Sequence, residues 1–361
     1  MGERSELREI QKLEGHNGKV WSVVWNPVAG TDGTPPILAS CGSDNTVRIW
    51  KQNSATSAFD YQGNTGRVYK GTTTSCCWTP HGRLLAIASQ RTISIWDENE
   101  NSLEHVLKIE DHKNEVVSVS CDASGNHLAT AIGGSIWLLE RVGVGYADFD
   151  YNESIDKLVG ETESVQSVQW HPLDESILFS CGSDDSIQVW EKNIDNGEWV
   201  FGQTLDSAEK YNLKPFSSGH SSKVWSISFN ATGDKMVTSC SLCSEDLSIR
   251  VWGAKKEQYG YDYGHWKHLQ TLSGYHHQRI LSVHWSSNGI IASGAADGAI
   301  CLFDENLDGS ESEPMHKLLL KQDNAHGHNI NSVQWSPMGT GLLASASDDG
   351  TIKIWKLTSP P

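Results

Sequence analysis

Along this chain, apolar and polar residues alternate in short runs, and most runs end on an aromatic side chain. Thr46-Val47-Arg48-Ile49-Trp50 sets the pattern, which recurs as Thr92-Ile93-Ser94-Ile95-Trp96, Ser186-Ile187-Gln188-Val189-Trp190 and Ser248-Ile249-Arg250-Val251-Trp252. Thr351-Ile352-Lys353-Ile354-Trp355 obeys the same rule, and Ala299-Ile300-Cys301-Leu302-Phe303 substitutes the Trp. Ser135-Ile136-Trp137-Leu138-Leu139 is a degenerate copy. A period of two marks a β-strand with one face buried. Upstream of each run lies a second strand, such as Val20-Trp21-Ser22-Val23-Val24-Trp25 or Ile330-Asn331-Ser332-Val333-Gln334-Trp335. Between them falls a third, such as Leu38-Ala39-Ser40-Cys41-Gly42, and the polar stretch after the aromatic supplies a fourth.

The runs end at residues 50, 96, 139, 190, 252, 303 and 355, which makes seven copies. A unit of four short strands cannot bury both faces alone. Stacked radially against like neighbours, it predicts an all-β, seven-bladed propeller that takes residues 1–361 as one domain. Leu7 to Leu13 alternates and precedes Gly15-His16, where an outer strand belongs, and too few residues follow Trp355 to complete blade seven. The N-terminal strand is therefore expected to join the last blade and close the ring, removing an exposed edge.

These repeats resemble the WD40 signature. The resemblance implies that a His, a Ser or Thr, an Asp and the terminal Trp form a hydrogen-bond chain within each blade. His16, Ser40, Asp44 and Trp50 fit that spacing, as do His220, Ser239, Asp246 and Trp252, and His326, Ser345, Asp349 and Trp355. His276, Ser293 and Asp297 fit in blade six, where Phe303 has no donor. Blade four has Glu161 in place of the His, and blades two and three carry Gln90 and Gly133 at the Asp position, so those two are expected to be the least rigid. His, Asp and Ser repeated across blades read as a structural network rather than as a catalytic triad, because an enzyme needs one site.

Composition narrows the classes further. The 361 residues carry 28 Lys and Arg against 45 Asp and Glu, a net charge of −17. Such a surface repels phosphate backbones, which argues against direct nucleic-acid binding. Residues 1–15 show no apolar leader core and no stretch approaches the roughly 18 apolar residues of a membrane span, so neither secretion nor membrane insertion is expected. Eight cysteines without a leader read as reduced, buried thiols. Cys240-Ser-Leu-Cys243 is the sole C-x-x-C, half of a four-coordinate metal site, and neither a phosphate-binding glycine loop nor any cofactor motif occurs.

What remains is surface. Two positions per blade flank the first-strand apolar residue and should line the channel mouth. Lys19, Trp21, Lys223, Trp225 and Arg279 fall there, on blades one, five and six, with Glu115 on blade three. Cations beside indoles suit an acidic or carboxylate-ended segment with an aromatic anchor. Residues 206–218, inserted before Gly219-His220, form a further variable element.

Finer texture narrows the family. Trp25-Asn26-Pro27, His112-Lys-Asn-Glu-Val116, Gly219-His-Ser-Ser-Lys-Val-Trp-Ser226 and above all Trp266-Lys-His-Leu-Gln-Thr-Leu-Ser-Gly-Tyr-His276 resemble the WD40 subunit of the cytosolic iron–sulfur protein assembly targeting complex. The resemblance covers essentially the whole chain. It implies a non-enzymatic adaptor, cytoplasmic and also nuclear, that joins companion subunits and presents apoproteins for [4Fe–4S] insertion. It also implies recognition of client tails ending in an aromatic residue. Family members carry an Arg in the blade-three turn, whereas this chain reads Ala131-Ile132-Gly133-Gly134-Ser135 there, and Arg91 in the blade-two turn is the candidate substitute. The alternative is a WD40 scaffold of another complex, such as a ubiquitin-ligase receptor or a chromatin subunit.

Overall fold

The computed structural model describes residues 5–30, 33–66, 71–99, 102–110, 112–141, 149–150, 158–159, 164–205, 220, 223–240, 247–257, 260–305, 315–337 and 339–358. Every described element is a β-strand, and the strands form seven antiparallel sheets. After β1 (Glu6–Leu13), blade one holds β2 (Val20–Trp25), β3 (Ile37–Gly42), β4 (Val47–Gln52) and β5 (Phe59–Asn64). Blade two is β6 (Thr73–Trp78), β7 (Leu84–Ser89), β8 (Thr92–Asn99) and β9 (Ser102–Ile109). Blade three is β10 (Val116–Cys121), β11 (His127–Ile132) and β12 (Ser135–Arg141), with β13 (Phe149–Asp150) and β14 (Leu158–Val159) both paired to β12. Blade four is β15 (Val165–Trp170), β16 (Ile177–Gly182), β17 (Ile187–Lys192) and β18 (Trp199–Leu205). Blade five is β19 (Val224–Phe229), β20 (Lys235–Cys240), β21 (Ser248–Glu257) and β22 (Gly260–Ser273). Blade six is β23 (Ile280–Trp285), β24 (Ile291–Ala295), β25 (Ile300–Glu305) and β26 (His316–Gln322). β27 (Ile330–Trp335), β28 (Leu342–Ser347) and β29 (Ile352–Thr358) belong to blade seven.

β1 supplies the missing fourth strand of blade seven. It pairs antiparallel with β29, from Glu6 opposite Thr358 to Leu13 opposite Ile352, so the two ends of the chain share one sheet. Leu7 and Leu13 are buried by that pairing. The inner strands alternate, as in β2, where Val20, Val23 and Trp25 are buried and the residues between them are half-buried. β3, β7, β16 and β28 are buried at all six positions, because a second strand is covered by blades on both sides. Their near-continuous apolar runs follow from that double burial.

Polar side chains knit blade to blade. The third residue of every inner strand is a serine (Ser22, Ser75, Ser118, Ser167, Ser226, Ser282 and Ser332), and all seven line the central channel. Ser332 accepts the backbone N–H of Val23 at 3.3 Å, Ser282 that of Val333 at 3.1 Å, Ser226 that of Val283 at 3.2 Å and Ser118 that of Val168 at 3.3 Å. On the outer strands, a glutamine side chain brackets the backbone of an aromatic in the next blade. Gln11 does so at Phe59, Gln203 at Trp266 and Gln270 at His316, with bonds of 2.6–3.0 Å. Both devices satisfy backbone groups at the blade seams that would otherwise be buried unpaired.

Candidate interaction surface

The blade-internal chains set the loop face. In blade one, His16 Nδ1 meets Asp44 at 3.0 Å, its Nε2 meets Ser40 Oγ at 2.9 Å, and Trp50 Nε1 donates to the same Oγ at 2.9 Å. In blade seven, His326, Asp349, Ser345 and Trp355 repeat this at 2.7–2.9 Å. With Nδ1–H donating to the carboxylate, Nε2 accepts the serine hydroxyl, whose oxygen lone pairs then accept the indole N–H. Burial alone would raise the Asp44 carboxyl, but bonds from His16 and the Asn17 N–H outweigh it and hold Asp44 well below the usual carboxylate range. Blade six joins His276 to Ser293 and Asp297 and stops there, since Phe303 has nothing to donate.

Blade five differs from the expectation. The hydroxyl is Thr238 rather than Ser239: His220 Nε2 lies 2.8 Å from Thr238 Oγ1, and Trp252 Nε1 donates to it at 2.9 Å. Strand register is the cause, because Thr238 pairs with Arg250 as Ser40 pairs with Arg48. Ser239 Oγ is buried without a hydrogen-bond partner among the described residues. Cys240 accordingly takes the position of Gly42, not that of Cys41. Asp246, Glu161, Cys243 and the 206–218 insertion lie outside the described residues. Blade four keeps the bond from Trp190 to Ser180, at 2.9 Å. Blade two routes Trp96 to Ser94 instead, at 3.1 Å, and Gln90 holds its turn at a φ of 46°. In blade three His112 packs edge-on against Trp137, with centroids 5.1 Å apart.

A channel of about 660 Å³ runs through the ring centre. Of the predicted rim residues it gathers Lys19, Trp21, Glu115, Trp225 and Arg279, while Lys223, and Arg91 of the blade-two turn, do not line it. Arg91 is exposed in its turn, beside the channel-lining Gln90. Lys19 is engaged across the closure seam: its Nζ sits 2.8 Å from Asp348 and 5.6 Å from the Trp21 ring centroid. Asp348 also accepts Asn331 Nδ2 at 2.8 Å. Arg279 is exposed and makes no ion pair among the described residues, so it is the cation with charge to offer. Trp21 and Trp225 are half-buried and line the channel, with indole nitrogens sequestered from solvent. They offer apolar area rather than a donor.

The described cysteines are all free thiols, and burial pushes Cys77, Cys121 and Cys181 up and Cys301 up to about 12, which leaves them protonated and unreactive. Sequence reading missed one cluster, Asp122, His127 and Glu175, whose polar atoms lie within 4.8 Å of one another. Asp122 already accepts His127 Nδ1 at 2.9 Å, Ser124 Oγ at 2.6 Å and two backbone N–H groups, so it serves the blade-three turn.

Seven such sheets with these chains define a WD-repeat propeller, and the family described as WD domain, G-beta repeat matches residues 7–51, 59–97, 152–191, 212–253, 266–304 and 317–356. The unmatched stretch is blade three, where the chain is degenerate. Protein CIA1 of Arabidopsis thaliana is 47% identical over all of this chain and 99% of its own length. Probable cytosolic iron-sulfur protein assembly protein Ciao1 of Culex quinquefasciatus is 33% identical, covering 97% and 98%. The CIAO1 homolog of Chlamydomonas reinhardtii is 32% identical over the same shares. The chain belongs to this cytosolic iron–sulfur protein assembly family of WD-repeat proteins.

Proposed function

We propose that this protein is a non-enzymatic adaptor of cytosolic iron–sulfur protein assembly. It joins companion subunits and presents apoproteins for [4Fe–4S] insertion, working in the cytosol and, with its clients, in the nucleus. Family membership over the full chain length supports the pathway. The fold supports the adaptor role, because its recurring His, Asp and hydroxyl groups are consumed in holding blades together. The observation that carries client binding is the channel mouth, where the exposed Arg279 and the half-buried Trp225 and Trp21 line one cavity. A tail ending in an aromatic residue would set its ring against the indoles and its carboxylate against the guanidinium.

The test is a titration of a fluorescent client-tail peptide ending in an aromatic residue, with a free or an amidated C-terminus. The free acid should bind at least about tenfold more tightly, a difference near 1.4 kcal/mol. Arg279→Glu should abolish that preference. Equal binding of acid and amide would place the tail site elsewhere.

A further inference from the structure

A sheet edge that faces solvent offers a row of backbone N–H and C=O groups to any passing strand, and proteins blunt such edges with bulges and charge. The outer strands β1, β5, β9, β18, β22 and β26 all carry a bulge. Charge separates them. Every described outer strand longer than two residues holds at least one charged residue, such as Asp60 in β5 or Lys317 in β26, except β18. Its sequence, Trp199 to Leu205, has none.

The same blade concentrates exposed apolar surface. Of nine large hydrophobic side chains exposed among the described residues, four belong to blade four: Leu173 at 61%, Ile194 at 97%, Val200 at 44% and Phe201 at 52%. The turns that carry Leu173 and Ile194 lie side by side, since Lys192 N–H bonds the Ser176 carbonyl at 2.8 Å between them. Phe201 stacks edge-on over Trp190 at 5.8 Å, the place that Tyr61, His105 and His268 take over Trp50, Trp96 and Trp252. Those three present a polar atom there, and Phe201 presents only carbon.

Charge identifies the occupant. Asp174, Glu175, Asp195 and Glu198 occupy the two turns, and Lys192 is the sole Lys or Arg between residues 171 and 205. A second copy of this chain would bring the same acids and another net −17 to the contact. We propose that the outer edge of blade four is a docking surface for an extended segment of a partner protein, apolar at alternate residues and flanked by Lys or Arg. That segment adds as a fifth strand beside β18: its backbone pairs with the strand's outer edge, its apolar residues cover Phe201 on one face of the sheet, the residues between them lie beside Val200 on the other, and its basic ends meet the acidic turns.

The full-length protein is titrated with a fluorescein-labelled peptide of alternating valine and threonine with two lysines at each end. Saturable binding is expected, together with slowed amide exchange across residues 199–205. Val200→Lys should weaken binding at least tenfold while leaving the melting temperature unchanged, because that side chain is exposed. A peptide N-methylated on alternate residues should not bind, and one with glutamates at its ends should bind at least tenfold less. Arg279→Glu should have no effect, which separates this surface from the channel mouth. Absence of saturable binding, or binding indifferent to Val200→Lys, would overturn the proposal. So would sedimentation showing a dimer that Val200→Lys dissociates, since the edge would then pair with its own copy.

Discussion

Trp252 donates its indole N–H to Thr238 Oγ1 at 2.9 Å, so the hydrogen-bond chain of blade five runs through Thr238 and bypasses Ser239. The neighbouring Ser239 hydroxyl is buried with no hydrogen-bond partner among the described residues. Thr238→Val should therefore destabilise the protein by about 1–3 kcal/mol, because it strands the buried Trp252 N–H and His220 Nε2. Ser239→Ala should stay within about 0.5 kcal/mol of wild type or gain slightly. Urea denaturation of both variants checks the assignment, and the reverse order of effects would return the chain to Ser239.

Asp349 accepts Thr351 N–H at 2.9 Å and its hydroxyl at 2.6 Å, as well as His326 at 2.9 Å. Asp349→Ala should cost about 1–3 kcal/mol. Desolvation would raise this carboxyl, but those bonds prevail and lower it. Its stabilising contribution is thus present above the ordinary carboxylate pKa near 4 and is lost as pH falls below it. The variant should lose less stability than wild type between pH 4 and pH 2.

His316 is buried against Trp285, and neither ring nitrogen has a hydrogen-bond partner among the described residues. Phe59 fills the equivalent glutamine-bracketed place in blade one. Burial lowers His316 to about 4. Between pH 6.5 and 4 the unfolded chain therefore binds a proton that the folded chain refuses, and stability falls with pH. His316→Phe should raise stability by about 1–2 kcal/mol at pH 7. The gain should widen by roughly a further 2 kcal/mol at pH 4.5. A constant gain across that range would show that His316 is not kept neutral by the fold.

Deleting residues 1–13 should cost at least about 4 kcal/mol, because Leu7 and Leu13 lose their burial and β29 becomes an open edge. Calorimetry of the truncated chain measures it. A melting curve close to that of the full chain would contradict closure through β1.

At the channel mouth, Trp225→Ala and Arg279→Glu should each weaken client capture about tenfold, while Lys223→Glu and Arg91→Ala should have smaller effects because neither side chain lines the cavity. Interferometry with a client-tail peptide ranks the four. Hydrogen exchange on the same proteins should find the fastest amides in blades two and three, where the His–Ser–Asp chain is missing.

The propeller was legible because its signal is repeated: seven period-two runs, each with a buried second strand, leave few architectures. Ring closure followed from arithmetic at the chain ends. Details that depend on register or on partners far away in sequence were hidden. Thr238 and Ser239 are adjacent hydroxyls, and only pairing with Arg250 distinguishes them. Lys19 reads as a free rim cation until the fold brings Asp348 to it across 329 positions. The serine ring had a plain signal, one serine at the third place of every inner strand, but its partners are backbone N–H groups, and no sequence pattern names those.

The central claim is the adaptor role, and its most direct test is affinity capture of the tagged full-length protein from cytosol under anaerobic conditions, followed by mass spectrometry. We expect iron–sulfur apoproteins to be enriched together with companion assembly subunits, and the apoproteins to fall away with Arg279→Glu while the companions remain. Enrichment of ubiquitin-ligase or chromatin subunits in their place would contradict the account and leave only the seven-bladed scaffold.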